Sequence, residues 1–171
     1  PTTSRPCYEH CEAVSQGRGT DEKQLQSFLI REAHRHARHL EPLNTAARVA
    51  GQALDLVFVT DEIPLPGDNE RIVCDLLALR RDEAGRQIPV VVELKSERAL
   101  TRLLEQVEGY ARLVDLHADL FAQLFAVLLG ELVTFGGPCE KVIVWPALSG
   151  GRPEPRAAEL AARGVTVVGY S

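Results

Sequence analysis

Residues 71–95 read RIVCDLLALRRDEAGRQIPVVVELK, and this stretch decides the fold. The apolar runs 71–80 and 88–95 have the composition of buried strands, and RDEAGRQ between them is typical of a turn. Pro89 is tolerated because it lies near the start of its strand. Two strands joined by a short turn predict an antiparallel hairpin.

The hairpin register brings two acidic residues together. If the turn centres on Ala84, opposed residues have numbers that sum to 168, and Asp75 lies opposite Glu93 on the same face. Their Cβ atoms would then be about 4.5–5.5 Å apart, where like charges repel unless a cation lies between them. Lys95 lies one pleat further along that face. A register shift of one residue would move one of the two carboxylates to the opposite face.

Two converging carboxylates and a lysine suit one kind of chemistry. Mg²⁺ prefers oxygen ligands and is typically held by one or two carboxylates, with waters and phosphate oxygens completing its shell. The metal polarises the phosphate and lowers the pKa of a bound water. A neighbouring lysine can orient that water and offset the charge that develops on phosphorus. The residues therefore indicate metal-assisted hydrolysis of phosphodiesters.

The remaining sequence alternates helical and strand patterns. An amphipathic helix over about 21–39 is expected to end before Pro42. The further predicted elements are a strand at 53–59, a loop with two prolines at 61–69, helices at 97–114, 116–129 and 153–164, and strands at 141–147 and 165–170. Residues 1–19 have the composition of a flexible tail. The order predicts a single α/β domain over 20–171, with a mixed central sheet flanked by helices on both faces.

These motifs resemble the core of the PD-(D/E)XK nuclease superfamily. The resemblance rests on Asp75, an eighteen-residue step to Glu93-Leu94-Lys95 at a strand end, and an element order that matches the superfamily's αβββαβ core from about 21 to 170. Gln106-Val-Glu-Gly-Tyr110 on the following helix looks like the QxxxY element of the branch that contains bacterial recombination and repair exonucleases. Cys74 stands where the proline of the superfamily's name would be. The resemblance implies a restriction-endonuclease-like fold and a Mg²⁺-dependent deoxyribonuclease, with Mn²⁺ as a substitute metal.

The resemblance also implies roles for individual residues. Asp75 and Glu93, with the carbonyl of Leu94, would bind the metal, and Lys95 would act on the water. Gln106 and Tyr110 would help to position the site or the DNA backbone. A glutamate from the first helix is often added in the superfamily, and the best match is Glu22, with Glu32 second. Arg98 and Arg102, just after the motif, would contact phosphates of the nucleic acid.

Composition limits the partners and the cellular location. The net charge of −5 gives no overall field that attracts nucleic acid, so binding needs a local basic patch or metal ions. The longest apolar runs are too short for a membrane span, which leads us to expect a cytoplasmic protein. Cys7, His10 and Cys11 lack a second Cys/His pair, and reduced thiols are therefore favoured over a zinc site.

Two alternatives to an active nuclease stay open. One is a catalytically inactive module of the same fold that binds nucleic acid or assembles with proteins. The other is an unrelated α/β domain, which Asp75 and Glu93 on opposite faces of the sheet would favour. The helix at 116–129 is apolar nearly all round, which predicts either a buried helix or a homodimer contact.

Overall fold

The computed structural model describes residues 19–66, 71–96, 100–147 and 156–170. The elements of these segments, in chain order, are α1 (Gly19–Arg35), α2 (Glu41–Val49), β1 (Leu56–Asp61), β2 (Pro64–Pro66), β3 (Arg71–Val73), β4 (Leu76–Arg81), β5 (Gln87–Leu94), α3 (Leu100–Leu116), α4 (Ala118–Leu129), β6 (Glu140–Pro146), α5 (Ala157–Ala162) and β7 (Val165–Tyr170).

Five of the strands form one mixed sheet in the order β1-β4-β5-β6-β7. The first three strands of that order are antiparallel to one another, whereas β5, β6 and β7 run parallel. β5 lies at the centre, and all eight of its residues are buried. Burial on both faces explains why its sequence is a continuous apolar run rather than an alternating one.

Alternate residues of β5 enter two separate hydrophobic cores. Val90, Val92 and Leu94 pack in the core that α1 and α2 cover. Val91 packs in the core that α3 and α4 cover on the opposite face of the sheet. The predicted α/β class, with a mixed sheet between two helical layers, is confirmed, and the arrangement is consistent with a restriction-endonuclease-like fold.

The predicted hairpin register is also confirmed. β4 and β5 pair from Leu76 opposite Val92 to Arg81 opposite Gln87, so every pair sums to 168. Oδ1 of Asp82 holds the turn, because it accepts hydrogen bonds from two backbone N–H groups of the turn at 3.0 and 2.8 Å.

The predictions of one strand at 71–80 and of a loop at 61–69 are wrong. β3 pairs with β2 in a small two-stranded ribbon, and β4 pairs with β1 and β5 in the main sheet. The chain changes partner at Cys74 and Asp75, which interrupts the strand. The ribbon was missed because β2 is only three residues long and contains both Pro64 and Pro66, which disfavour a strand.

Pro42 lies at the start of a second helix, and the first helix ends earlier than predicted. α1 ends at Arg35, and Ala37 and Arg38 adopt positive φ angles of 50° and 71° that reverse the chain. Pro42 then lies in the first turn of α2, where a missing N–H costs no hydrogen bond. The helix predicted at 153–164 is shorter, with α5 covering Ala157–Ala162, and its first residues lie outside the described segments.

The apolar helix predicted at 116–129 corresponds to α4, which is buried on one side only. Phe121 and Phe125 enter the core beneath it, while Leu120 and Val127 are 65% and 80% exposed. Among the described residues, no helix is long and apolar enough to cross a membrane.

Candidate metal centre

Asp75 and Glu93 come together where β4 begins and β5 ends. The paired register ends at Leu76 opposite Val92, and Asp75 and Glu93 are the next residues beyond that pair. Burial raises the pKa of Glu93, and the nearby charge of Asp75 raises it further. Oδ2 of Asp75 accepts a hydrogen bond from the backbone N–H of Leu94 at 2.7 Å, which fixes this carboxylate at the end of β5.

Glu93 is the most deeply buried acidic residue of this group. Its side chain is 1% exposed, and burial, followed by the charge of Asp75, raises its pKa to about 7. Lys95 acts in the opposite direction, since its Nζ lies 2.9 Å from Oε1 of Glu93. Oε2 of Glu93 is buried and has no hydrogen-bond partner among the described residues. An unsatisfied buried oxygen of this kind costs about 1–3 kcal/mol, or more when it is charged.

Lys95 lies between two glutamates. Besides its contact with Glu93, its Nζ lies 3.6 Å from Oε2 of Glu22. Burial lowers the pKa of Lys95, but the charges of Glu93, Asp75 and Glu22 outweigh burial and raise it overall. The ammonium group therefore stays protonated at neutral pH and can donate hydrogen bonds but cannot accept a proton.

Of the two candidate glutamates on α1, Glu22 is the one that reaches the end of β5. Its Oε1 accepts hydrogen bonds from the backbone N–H of Ser96 at 2.9 Å and from the Ser96 hydroxyl at 3.1 Å. These contacts connect the start of α1 to the end of β5. Glu32 instead lies further along α1 and pairs with Arg35 of the same helix at 2.7 Å. Of the two candidates, the structure brings only Glu22 to Lys95.

Gln26 and Glu62 hold the backbone of Asp75, and sequence reasoning missed both. Nε2 of Gln26 donates to the Asp75 carbonyl at 3.0 Å, and the N–H of Glu62 donates to the same oxygen at 3.4 Å. Gln26 is 5% exposed and lies one helical turn after Glu22 on α1. That spacing, four residues from the candidate site residue Glu22, was the only signal in the sequence for Gln26.

Gln106 and Tyr110 donate hydrogen bonds to backbone carbonyls rather than to the carboxylates of the candidate metal centre. Nε2 of Gln106 donates to the carbonyl of Val73 at 2.9 Å. The hydroxyl of Tyr110, a residue with no exposed surface, donates to the carbonyl of Ile63 at 2.8 Å, and burial raises the pKa of this hydroxyl. Gln106 therefore ties α3 to β3, which leads into Asp75, and Tyr110 ties α3 to the residue that precedes β2.

Leu94, Arg98 and Arg102 complete the set of predicted site residues. The side chain of Leu94 packs in the core beneath α1 and α2, while its N–H binds Asp75. Arg98 and the side chain of Arg102 lie outside the described part of the structure, so their contact with nucleic acid stays a prediction.

The donor set fits a hard divalent cation. Within the segments that the structure describes, no three or more His, Cys, Asp or Glu side chains are grouped so that they could hold a metal ion. Asp75 and Glu93 nonetheless supply two carboxylates, which is the number that Mg²⁺ typically takes from a protein. The buried, unpartnered Oε2 of Glu93 is a ligand atom that a cation would satisfy.

Comparison with known proteins gives one structural similarity. No protein-family model matches the chain, and no curated protein sequence matches it. A crystal structure of a repair endonuclease from Pyrococcus abyssi is similar over 77% of this chain, with 17% sequence identity and a TM-score of 0.39. The match covers 44% of the repair endonuclease chain, so this chain spans less than half its length.

Proposed function

We propose that this protein is a Mg²⁺-dependent nuclease that hydrolyses phosphodiester bonds in DNA. One observation carries the proposal: Glu93 is 1% exposed, lies beside Asp75 and keeps one carboxylate oxygen without a partner. A sheet stabilised only by packing would gain from apolar residues at these positions, because buried like charges are costly. The arrangement is therefore better explained by a cation site than by structural need.

We expect the metal, Mg²⁺ or Mn²⁺, to be held by Asp75, Glu93 and the carbonyl of Leu94. When bound there, the ion would supply positive charge beside the phosphate and acidify the attacking water. The chain itself orients one of these ligands, because the N–H of Leu94 fixes Oδ2 of Asp75 at 2.7 Å. The backbone contacts of Gln26 and Gln106 hold the segment that carries Asp75.

Lys95 is expected to act as a charged hydrogen-bond donor. The carboxylates around it keep its pKa raised, so it carries an ammonium group at neutral pH. Such a group can orient the water and stabilise negative charge on the phosphate oxygens. Glu22 lies 3.6 Å from the same ammonium and would hold it in place while substrate enters.

A catalytically inactive module of the same fold is the second candidate. It is favoured by the ion pair of Lys95 with Glu93 at 2.9 Å, which partly neutralises the site without a metal. In this alternative the carboxylates and Lys95 would form only a structural ion pair at the end of β5. The domain would then bind nucleic acid or another protein.

Cleavage assays separate the two candidates. Plasmid, linear duplex DNA, single-stranded DNA and RNA are incubated with the protein in Mg²⁺, Mn²⁺ or EDTA. We expect metal-dependent cleavage that Lys95→Ala abolishes, while Lys141→Ala, at the far end of β6, retains it. An absence of metal-dependent cleavage, or equal cleavage by wild type and Lys95→Ala, would contradict the nuclease function.

A further inference from the structure

A second lysine lies at the edge of the metal centre. Lys23 follows Glu22 in the first turns of α1 and forms an ion pair with Oε1 of Glu62, which lies between β1 and β2. The side chain of Lys23 is 66% exposed and that of Glu62 is 43% exposed. The charges of Asp75 and Asp61 also act on Lys23, so the ammonium lies within the field of the metal centre.

Glu62 is held in an unusual conformation beside Asp75. Its φ angle is +47°, in the left-handed region that non-glycine residues seldom adopt and that costs on the order of 1–3 kcal/mol. Its N–H points at the Asp75 carbonyl at 3.4 Å, and Gln26 contributes to lowering the pKa of its carboxylate. The surroundings therefore fix Glu62 next to a proposed metal ligand, with its carboxylate on Lys23.

The charges of this region do not by themselves favour a nucleic acid. The carboxylates that gather near the end of β5 and the β1–β2 junction are those of Glu22, Asp61, Glu62, Asp75 and Glu93. Lys95 is 23% exposed and is already between two of them. Lys23 is the more accessible of the two described lysines here, and the phosphate of an approaching strand can reach it from solvent.

We propose that Lys23 binds a backbone phosphate of the nucleic acid next to the phosphate that is cleaved, and that Glu62 pairs with Lys23 in the free protein and competes with that phosphate. The inference rests on the proposed nuclease function. Binding exchanges one exposed carboxylate for a phosphate on the same ammonium, so no charge is left unpaired at Lys23. Exposed ion pairs such as this contribute roughly 0–1 kcal/mol, so the exchange is easily made.

The two partners of the ion pair should then have opposite effects. Lys23→Gln removes a phosphate contact, so we expect KM for DNA to rise severalfold with kcat unchanged. Glu62→Gln removes the competitor, so we expect KM to fall. The double variant should behave like Lys23→Gln alone. A purely structural ion pair would instead make the two single variants change in the same direction.

The test measures KM and kcat for a short duplex at several salt concentrations, with Lys141→Gln as the matched control at the other end of the sheet. We expect Lys23→Gln to reduce the slope of log KM against log salt concentration by about 1, as for one lost phosphate contact. Thermal unfolding of each variant reports whether it is folded. An active wild type with unchanged KM in Lys23→Gln, or with raised KM in Glu62→Gln, overturns this inference alone. A wild type that shows no metal-dependent cleavage overturns the proposed function and this inference with it.

Discussion

Oδ2 of Asp75 accepts the backbone N–H of Leu94 at 2.7 Å, and this bond joins the β3–β4 junction to the end of β5. The same carboxylate is half-buried near Glu93, and desolvation raises its pKa. Asp75 thus stabilises the junction through its hydrogen bond, while its charge opposes that of Glu93.

Substitutions at Asp75 can separate these two effects. Asp75→Asn keeps an oxygen that can accept the Leu94 N–H and removes the repulsion, so we expect it to be at least as stable as wild type without metal. Asp75→Ala leaves the N–H without its partner and should be less stable than Asp75→Asn by about 1–2 kcal/mol. Urea unfolding in EDTA measures both. Equal stability of the two variants would contradict the role of this hydrogen bond.

The raised pKa of Glu93 should make the stability of the metal-free protein depend on pH. Its pKa in the folded state is raised to about 7 from the ordinary glutamate value of 4.5. Between these values the folded state binds more protons than the unfolded state, so the free energy of unfolding should fall as pH rises through this window. Glu93→Gln should lose that part of the pH dependence, which urea unfolding in EDTA at a series of pH values would detect. An unchanged profile in Glu93→Gln would show that Glu93 titrates normally.

Tyr110 is expected to act on stability rather than directly on catalysis. Tyr110→Phe removes the hydrogen bond to the Ile63 carbonyl and should lower the free energy of unfolding by about 1–3 kcal/mol. Because the hydroxyl contacts the Ile63 carbonyl and not the carboxylates, kcat should change much less than with Lys95→Ala. Unfolding and cleavage are measured on the same preparation. A loss of kcat as large as that of Lys95→Ala, in a variant of normal stability, would assign Tyr110 to the chemistry instead.

Substitutions on the exposed side of α4 can test the predicted homodimer. Leu120 and Val127 are 65% and 80% exposed, and their burial against a second copy would remove apolar surface from water. We expect light scattering after gel filtration to give a dimer for wild type and a monomer for Leu120→Lys. Leu132→Lys, at an exposed leucine beyond the end of α4, is the control and should stay dimeric. A monomeric wild type would contradict the dimer.

Local patterns were sufficient for the hairpin that carries the candidate site. The apolar run of β5 and the Asp82 turn fix the register, and Asp75 and Glu93 lie just beyond its last pair.

Contacts between distant segments were not predictable in the same way. Gln26 reaches the Asp75 carbonyl across 49 positions of sequence, and its helix face is set by the packing of α1 rather than by any local pattern. α2 was missed because Pro42 is compatible with both the end of one helix and the first turn of another. Glu62 has a left-handed backbone without glycine, which no residue type announces.

The central claim is that Asp75 and Glu93 hold a divalent cation. A crystal of the protein soaked in Mn²⁺ and measured near the manganese absorption edge tests it most directly, because the anomalous signal locates the ion. We predict a peak within coordination distance of both carboxylates, with Oε2 of Glu93 among the ligands. A structure without a peak there, in which Glu93 keeps only its ion pair with Lys95, would contradict the claim.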